Sequence, residues 1–182
     1  MRIISGRFKG RTLRGPEGPG VRPTSDGLRE TLFNILQDRV DGATVVDAYA
    51  GTGSVGLEAL SRGATQAVFI ERESRSLAVL EKNIRSLGVE AETRVVKSDV
   101  LSARQTGVRN PANIVFADPP YDVADLALVV DALAGLVADG GILVLEYSRR
   151  REAPLSAGPL TRTRVLVAGD SALAFYTSPA AF

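Results

Sequence analysis

Short hydrophobic runs alternate with longer mixed stretches along the chain from Thr44 onward. The short runs predict five strands, the first beginning at Val45 and the others covering residues 67–70, 93–96, 114–117 and 142–147. The stretches between them predict helices over residues 54–62, 74–87 and 124–137. Strands that alternate with helices are typical of an α/β fold with a doubly wound parallel sheet.

The end of the chain departs from this alternation. Residues 163–167 and 172–176 are predicted strands joined by a tight turn at Gly169-Asp170, with no helix between them. This pattern predicts a closing antiparallel hairpin. The segment before it, residues 148–160, is predicted to be a loop.

A hairpin, a linker and a helix are predicted before the first strand of the sheet. Residues 2–14 are expected to form a basic β-hairpin of two short strands. Residues 15–20 are rich in Gly and Pro and can form neither helix nor regular strand. A helix then begins at Thr24 or Ser25 and runs to about Asp38.

Length and composition fit one main domain with a small appendage. The chain has 182 residues, of which 45% are hydrophobic, enough for a sizeable core. We expect a basic hairpin and linker at residues 1–22 and one larger domain at residues 23–182. Within that domain, Arg29 and Glu30 are expected on the polar side of the first helix, forming a surface ion pair or shaping a ligand pocket.

The composition also excludes several kinds of chemistry. The chain has no Cys and no His, which excludes disulfides, thiol nucleophiles, His-based triads and most zinc sites, and we predict no metal. No apolar run approaches the ~18–20 residues that cross a membrane, and the first residues lack a signal-peptide core. These features favour a cytoplasmic enzyme that works with carboxylates, hydroxyls, backbone groups or a bound cofactor.

Charge is distributed unevenly along the chain. The whole chain has a formal net charge of +1, but residues 1–22 contain six basic residues and one acidic residue. That segment therefore carries +5 and the remainder −4. A basic segment on a mildly acidic body favours a polyanionic partner, although an ordinary solvated terminus would have the same composition.

The sequence Asp118-Pro119-Pro120-Tyr121 follows the predicted strand 114–117. Ligands of open α/β sheets bind at the carboxyl ends of the strands. An acid and a backbone carbonyl there could each accept one N–H of an exocyclic amino group on a nucleobase and turn its lone pair toward an electrophile. The two prolines would stiffen the loop and Tyr121 could stack on the base. A plain strand-to-loop turn would carry similar residues.

A glycine-rich loop lies between the first predicted strand and its helix. It runs from Asp47 to Gly56 and has the spacing G-x-G-x-x-G at Gly51, Gly53 and Gly56. Glu71 ends the second strand, where a carboxylate can accept hydrogen bonds from ribose hydroxyls. Dinucleotide sites and S-adenosylmethionine (SAM) sites share these features.

Three acidic positions favour SAM over a dinucleotide. Asp47 could meet the ammonium of a methionine group, whereas a pyrophosphate would be repelled there. Asp99 follows the third strand, where it could bind the adenine amino group while Val100 covers the ring. Asp118 supplies the amino-group site. Asp47 could instead cap the loop, and Asp99 could cap a helix.

Together these motifs make the chain recognisable. It resembles class I SAM-dependent methyltransferases, with Asp118-Pro119-Pro120-Tyr121 matching the motif of those that act on amino nitrogens. The segments 2–11, 22–26 and 29–34 look like the RsmD family, the bacterial 16S rRNA guanine-N2 methyltransferases. The resemblance covers nearly the whole chain and is weakest over residues 148–182.

The resemblance implies a seven-stranded Rossmann-like methyltransferase domain with SAM on the glycine-rich loop. The implied cofactor-binding residues are Arg22, Thr24, Asp47, Tyr49, Gly51, Gly53, Gly56, Glu71, Arg72, Asp99 and Val100. The implied catalytic residues are Asp118, Pro119, Pro120 and Tyr121. The implied substrate is one guanine of 16S rRNA, in the 30S subunit or an assembly intermediate, and the enzyme is expected to be a monomer.

The basic residues of the N-terminal hairpin are expected to contact phosphates rather than bases. They are Arg2, Arg7, Lys9, Arg11 and Arg14. The target guanine is expected to leave its RNA context and place N2 between Asp118 and the Pro119 carbonyl.

Three other functions remain open on the sequence. A DNA or RNA methyltransferase acting on adenine N6 or cytosine N4 shares the Pro-Pro-aromatic motif, but 182 residues leave no room for a DNA-recognition region. A nicotinamide dehydrogenase would share the glycine-rich loop. A non-catalytic RNA-binding or ribosome-assembly factor would share the fold and the basic hairpin.

Overall fold

The fold is built on one eight-stranded sheet. The computed structural model describes residues 1–15, 26–105, 111–120, 123 and 125–178. The strands are β1 (Thr44–Ala48), β2 (Gln66–Glu71), β3 (Thr93–Lys97), β4 (Ala112–Ala117), β5 (Val137–Ser148), β6 (Ser156–Ala157), β7 (Leu160–Ala168) and β8 (Ser171–Thr177). The helices are α1 (Asp26–Leu36), α2 (Ser54–Ser61), α3 (Ser74–Leu87) and α4 (Leu126–Ala134), with short 3₁₀ turns at Gln37–Arg39, Glu90–Glu92 and Val100–Gln105.

The strand order is β3-β2-β1-β4-β5-β8-β7-β6. Strands β1 to β5 are parallel, and β5, β8, β7 and β6 pair antiparallel. The doubly wound parallel sheet and the closing hairpin are therefore confirmed. The expected count of seven strands was wrong because two-residue β6 lies in the segment predicted as a loop. Such a short strand carries no hydrophobic pattern that would reveal it.

Both faces of the sheet are covered by helices. Alternate strand residues belong to two hydrophobic clusters, so that Phe116 packs on the side of α1, α2 and α3 while Val115 packs on the side of α4. Strands buried on both faces are expected to be apolar at consecutive positions. This explains the short hydrophobic runs of the sequence.

Several element boundaries differ from the predicted ones, as at the start of β7, which begins at Leu160 rather than 163, and most of all between α4 and β5. Helix α4 ends at Ala134 rather than near 137, and β5 begins at Val137 rather than at 142. The first residues of β5 include Gly140 and Gly141, and the β4–β5 register shifts between Ala112 and Ile114. Glycines at such an irregularity hide a strand from hydrophobic patterning.

The N-terminal arm, residues 1–15, is a compact turn structure with limited strand pairing. One antiparallel bridge joins Arg2 and Thr12. The Ile3 amide donates to the Arg11 carbonyl at 2.9 Å, and the Leu13 amide donates to the Met1 carbonyl at 3.1 Å. The predicted hairpin is thus present in outline, with less regular pairing than two strands would give.

The position of Arg29 on α1 contradicts the expectation of a polar helix face. Its side chain is fully buried, and Nη2 donates to the Arg2 carbonyl at 2.7 Å and to Asp26 at 2.9 Å. The arm covers this side of α1, so the charge is enclosed rather than solvated. Glu30 is exposed as expected.

No helix of the described part of the chain has the length and apolar character needed to cross a membrane.

Candidate active site

The two principal motifs meet where the strand order reverses. Strands β1 and β4 are neighbours in the sheet, and the chain leaves them in opposite directions. Ala48 at the end of β1 is in register with Ala117 at the end of β4, and the Asp118 amide lies 3.5 Å from the Ala48 carbonyl. The glycine-rich loop and the Asp-Pro-Pro segment therefore flank one crevice at the carboxyl edge of the sheet, the usual ligand position in such folds.

Backbone conformation in the glycine-rich loop is unusual at three positions. Tyr49, Gly51 and Gly53 have φ values of 59°, 54° and 82°. A non-glycine residue in this region costs of order 1–3 kcal/mol, and such strain is concentrated at functional sites. Tyr49 is thus held in a strained conformation beside the crevice.

Two glycines of the loop are required by packing. A Cβ at Gly53 would lie 2.3 Å from Leu80 of α3, and a Cβ at Gly56 would lie 2.4 Å from the Phe69 ring of β2. The Gly56 contact brings α2 close to the sheet, and the Gly53 contact brings it close to α3. The amino end of α2 therefore points into the crevice at short range.

Asp47 is a buried carboxyl beneath the loop. It is 2% exposed, and its Oδ2 accepts from the Gly56 amide at 2.9 Å. Burial raises the pKa of Asp47 to about 7, the charge of Glu71 adds to this effect, and the Gly56 and Val55 amides oppose it. The loop-capping role considered for Asp47 is thus present, and its ionisation would be favoured by a cationic ligand group.

Glu71 ties the end of β2 to the loop. Its Oε2 accepts from the Gly51 amide at 2.8 Å, and its Oε1 accepts from the amides of Arg72 and Glu73 at 2.8 and 2.7 Å. These bonds fix the carboxylate orientation. A carboxylate oxygen can accept two hydrogen bonds, so Oε2 retains acceptor capacity for a hydroxyl.

A second group of side chains lies at the ends of β1, β2 and β3. Arg72 Nη1 donates to Asp99 Oδ2 at 2.8 Å, and Asp99 Oδ1 accepts from the Leu101 amide at 2.9 Å. Burial raises the pKa of Tyr49 to about 12; the charge of Asp99 adds to this effect and that of Arg72 opposes it. Tyr49, Arg72 and Asp99 are therefore neighbours, with Val100 buried next to them. The capping role considered for Asp99 also occurs.

The Asp-Pro-Pro segment is described as far as Pro120. Asp118 is half-buried, Pro119 is buried and Pro120 is exposed. Three predicted site residues, Arg22, Thr24 and Tyr121, lie outside the described residues. No group of three or more Asp or Glu residues in the described ranges is placed to hold a metal ion.

Two basic side chains of the arm, those of Arg7 and Arg11, bind groups outside the glycine-rich loop. Arg7 pairs with Glu92, and Arg11 donates to the Ser86 carbonyl in the last turn of α3 at 2.6 Å. The Arg7 amide donates to the Ser61 carbonyl, at the opposite end of α2 from the glycine-rich loop. Cations are favoured at helix carboxyl ends, so the Arg11 side chain has a structural role at the end of α3. Arg2, Lys9 and Arg14 are exposed.

Comparison with known proteins settles the family. A family model described as "Conserved hypothetical protein 95" matches residues 1–177. The chain belongs to this family, the RsmD family. It is 38% identical to the Escherichia coli protein named "Ribosomal RNA small subunit methyltransferase D", over 97% of this chain and 89% of that protein. It is 33% identical to Bacillus subtilis YlbH, over 97% of this chain and 98% of that protein.

A solved structure agrees with this assignment. The Escherichia coli protein yhhF matches with a TM-score of 0.84 and 35% identity, covering 100% of this chain and 99% of that one. The fold of this RsmD family member is therefore that of class I SAM-dependent methyltransferases.

Sequence reasoning missed several buried polar residues of this RsmD fold, among them Glu58 and Asn83. Glu58 on α2 and Asn83 on α3 are both fully buried and both bind the arm. Asn83 is the polar residue on an otherwise apolar face of α3, and Glu58 is a charged residue between apolar Leu57 and Ala59 of α2. That mismatch is the sequence signal that could have identified them.

Proposed function

We propose that this protein transfers a methyl group from SAM to N2 of a guanine in 16S rRNA. The observation that carries the proposal is that Asp118-Pro119 at the end of β4 lies beside the glycine-rich loop at the end of β1. The contact of the Asp118 amide with the Ala48 carbonyl joins the two strand ends. The name of the Escherichia coli relative supports a small-subunit rRNA substrate. We further propose that the substrate is the 30S subunit or its assembly intermediate and that the enzyme acts as a cytoplasmic monomer.

The residues of the crevice fit SAM as cofactor. Asp47 would hold the methionine ammonium, because a nearby cation restores the charge that burial disfavours. Glu71, fixed by three backbone amides, would accept from the ribose hydroxyls. Asp99 would accept from the adenine amino group, with Val100 and Tyr49 on the ring. Arg22 and Thr24 are retained as proposed cofactor contacts.

Asp118 and Pro119 would orient the target amine. When bound, SAM supplies a methyl group on a positively charged sulfur, which needs no metal and no covalent nucleophile to activate it. Asp118 and the Pro119 carbonyl each accept one N–H of guanine N2, which turns the nitrogen lone pair toward the methyl group. As the N–CH3 bond forms, the S–CH3 bond breaks and S-adenosylhomocysteine leaves. The nitrogen becomes acidic in this step, so Asp118 would accept the proton late and need not be a strong base. Catalysis then rests on positioning and local electrostatics.

The activity is tested with three substrates and labelled SAM. They are 30S subunits from a strain lacking the enzyme, naked 16S rRNA and duplex DNA, with products digested and identified by mass spectrometry. We expect N2-methylguanosine at a single 16S position. Methyladenine or methylcytosine in any substrate would replace the proposal with the adenine-N6 or cytosine-N4 alternative. Cofactor binding without transfer to any substrate would favour a non-catalytic factor.

The ionisation of Asp47 predicts how cofactor affinity depends on pH. The pKa of about 7 means that much of this carboxyl is protonated below neutral pH in the free protein. A bound ammonium requires the ionised form, so affinity should rise with pH and level off above about 7. Below that value it should fall by up to about tenfold per pH unit. Isothermal titration of SAM from about pH 5.5 to 8 measures this.

Asp47→Asn is the matched control for this titration. It keeps the side-chain size but cannot ionise, so any remaining pH dependence belongs to the ligand. We expect weaker binding and a flat profile over the same range. An identical slope in both proteins would mean that Asp47 does not meet the ammonium.

The raised pKa of Asp47 also means that the ligand-free protein loses stability as pH rises between the ordinary Asp value and about 7.

The arm predicts a salt-dependent contribution to RNA binding. Replacing Arg2, Lys9 and Arg14 by Ala removes three exposed charges. Each phosphate contact contributes about 0.7–0.9 to the slope of log K against log salt concentration, so the slope should flatten by about 2–3. Filter binding of 16S rRNA at several salt concentrations measures it. As a control, Arg164→Ala on β7, at the other end of the sheet, should leave the slope unchanged. Equal slopes for the wild type and the triple variant would show that these arm residues do not contact RNA.

A further inference from the structure

Asn83 is a buried amide that joins two separate parts of the molecule. It lies on α3 among apolar residues and is fully enclosed. Its Oδ1 accepts from the Arg14 amide at 2.8 Å. Its Nδ2 donates to the Arg14 carbonyl at 3.1 Å and to the Thr52 carbonyl at 3.0 Å. Both donors of the amide are therefore in use.

The two partners of Asn83 belong to the arm and to the glycine-rich loop. Thr52 lies between Gly51, which donates to Glu71, and Gly53, which precedes α2. Arg14 lies at the end of the arm, beside Leu13 in the hydrophobic core. A single side chain thus connects the proposed cofactor loop to the proposed RNA-binding arm.

We propose that Asn83 is a positioning residue that couples cofactor binding to the placement of the arm. This inference rests on the proposed function, because it takes the glycine-rich loop as the SAM site. A cofactor that fixes the loop holds the Thr52 carbonyl in place. The enclosed Nδ2 then keeps its partner, and the Arg14 backbone stays bound. Movement of the loop would leave a buried donor without an acceptor, which is unfavourable in an apolar surrounding.

Thermodynamic linkage makes this coupling reciprocal. If an occupied cofactor site favours the bound arm, then RNA bound to the arm favours an occupied cofactor site by the same factor. Couplings of this kind are typically about 5- to 150-fold.

The arm carries its own internal control. Among its other attachments is Glu58, which accepts from the Ile4 amide at 2.8 Å and the Ser5 amide at 3.0 Å. Glu58 lies in the middle of α2, outside the glycine-rich loop. Cofactor binding should therefore stabilise the Arg14 end of the arm and leave the Ile4 and Ser5 end unchanged.

The test measures amide hydrogen exchange by NMR on the whole chain, with and without S-adenosylhomocysteine. We expect exchange at Arg14 to slow by at least about fivefold on binding, the lower end of typical couplings, with Ile4 and Ser5 changing by less than about twofold. In Asn83→Ala, S-adenosylhomocysteine should still bind while exchange at Arg14 no longer responds. An unchanged Arg14 amide in the wild type, or equal slowing at all three amides, overturns the proposal. The wild-type comparison stands even if the variant folds poorly.

A second measurement covers the RNA side of the coupling. S-adenosylhomocysteine affinity is determined with and without 30S subunits; subunits should tighten it in the wild type by at least about fivefold and in Asn83→Ala by less than twofold. A merely structural Asn83 would weaken both affinities and leave their ratio intact, which overturns the coupling. Ligand binding with no response at Arg14 refutes this inference alone, whereas no ligand binding to the wild type refutes the cofactor site and the inference with it.

Discussion

Replacing Asp118 by Ala should lower methyl transfer by roughly 10²–10⁴-fold, the usual range for a positioned proton acceptor. The cofactor should still bind with an affinity within about twofold, because its proposed contacts are the glycine-rich loop, the ends of β2 and β3, Arg22 and Thr24, and do not include Asp118. Asp118 follows β4 on the other side of the crevice, so its loss should affect the target amine alone. Single-turnover transfer to 30S subunits and isothermal titration of SAM measure the two effects separately.

Two further substitutions sharpen this test. Asp118→Asn keeps an acceptor oxygen but loses the charge and presents an amide donor, so its activity should fall between wild type and Asp118→Ala. The Asp125 side chain caps α4 by accepting from the Ala127 amide at 2.8 Å. Asp125→Ala removes this cap and should retain activity. Near-normal transfer by Asp118→Ala would disprove the proposed mechanism, whatever the controls show.

The predictable parts of this fold are those set by local pattern. The apolar run 114–117 identified β4 because a strand buried on both faces has no polar alternation. The spacing of Gly51, Gly53 and Gly56 identified the loop because Gly53 and Gly56 leave no space for a side chain. The β4 pattern is visible within a few residues. The glycine constraint comes from Leu80 and Phe69 farther along the chain, but it leaves a short glycine spacing that the sequence shows directly.

Arg29 shows what local pattern cannot reveal. Next to the buried Leu28 and Leu32, a charge would ordinarily be placed at the solvent boundary of the helix. Its burial depends on the arm, whose Arg2 carbonyl accepts from Arg29 across 27 positions of sequence. The raised pKa of Asp47 has the same kind of cause, since burial by surrounding elements is its largest contribution. The burial of Arg29 and the raised pKa of Asp47 follow from tertiary contacts, and the neighbouring sequence does not predict them.

The buried network around Glu58 leads to the largest expected effect on stability. Glu58 is fully buried and accepts from the Ile4 and Ser5 amides and from Arg62 Nε at 2.7 Å, with Arg29 Nε 3.7 Å away. Within the described residues, Nε and Nη1 of Arg29 have no hydrogen-bond partner. The Glu58 carboxylate is therefore the main buried countercharge for Arg29.

Glu58→Ala should destabilise the protein by about 3–5 kcal/mol, because it removes the buried countercharge of Arg29, leaving only the exposed Asp26, and releases two arm amides. At ~2–4 °C per kcal/mol for a chain of this size, Tm should fall by about 6–20 °C. Thermal unfolding followed by circular dichroism measures the shift. Glu81→Ala breaks an exposed pair with Arg85 at 3.8 Å and should cost less than about 1 kcal/mol.

The companion substitution Arg29→Met separates the charge from the arm contacts. If the penalty of Glu58→Ala comes mainly from the lost countercharge of Arg29, adding Arg29→Met should recover part of the lost stability. If it comes mainly from the released Ile4 and Ser5 amides, the double variant should be no more stable than Glu58→Ala. A Glu58→Ala protein that unfolds at the wild-type temperature would contradict both explanations, since each requires the buried carboxylate to hold the arm and α1 against α2.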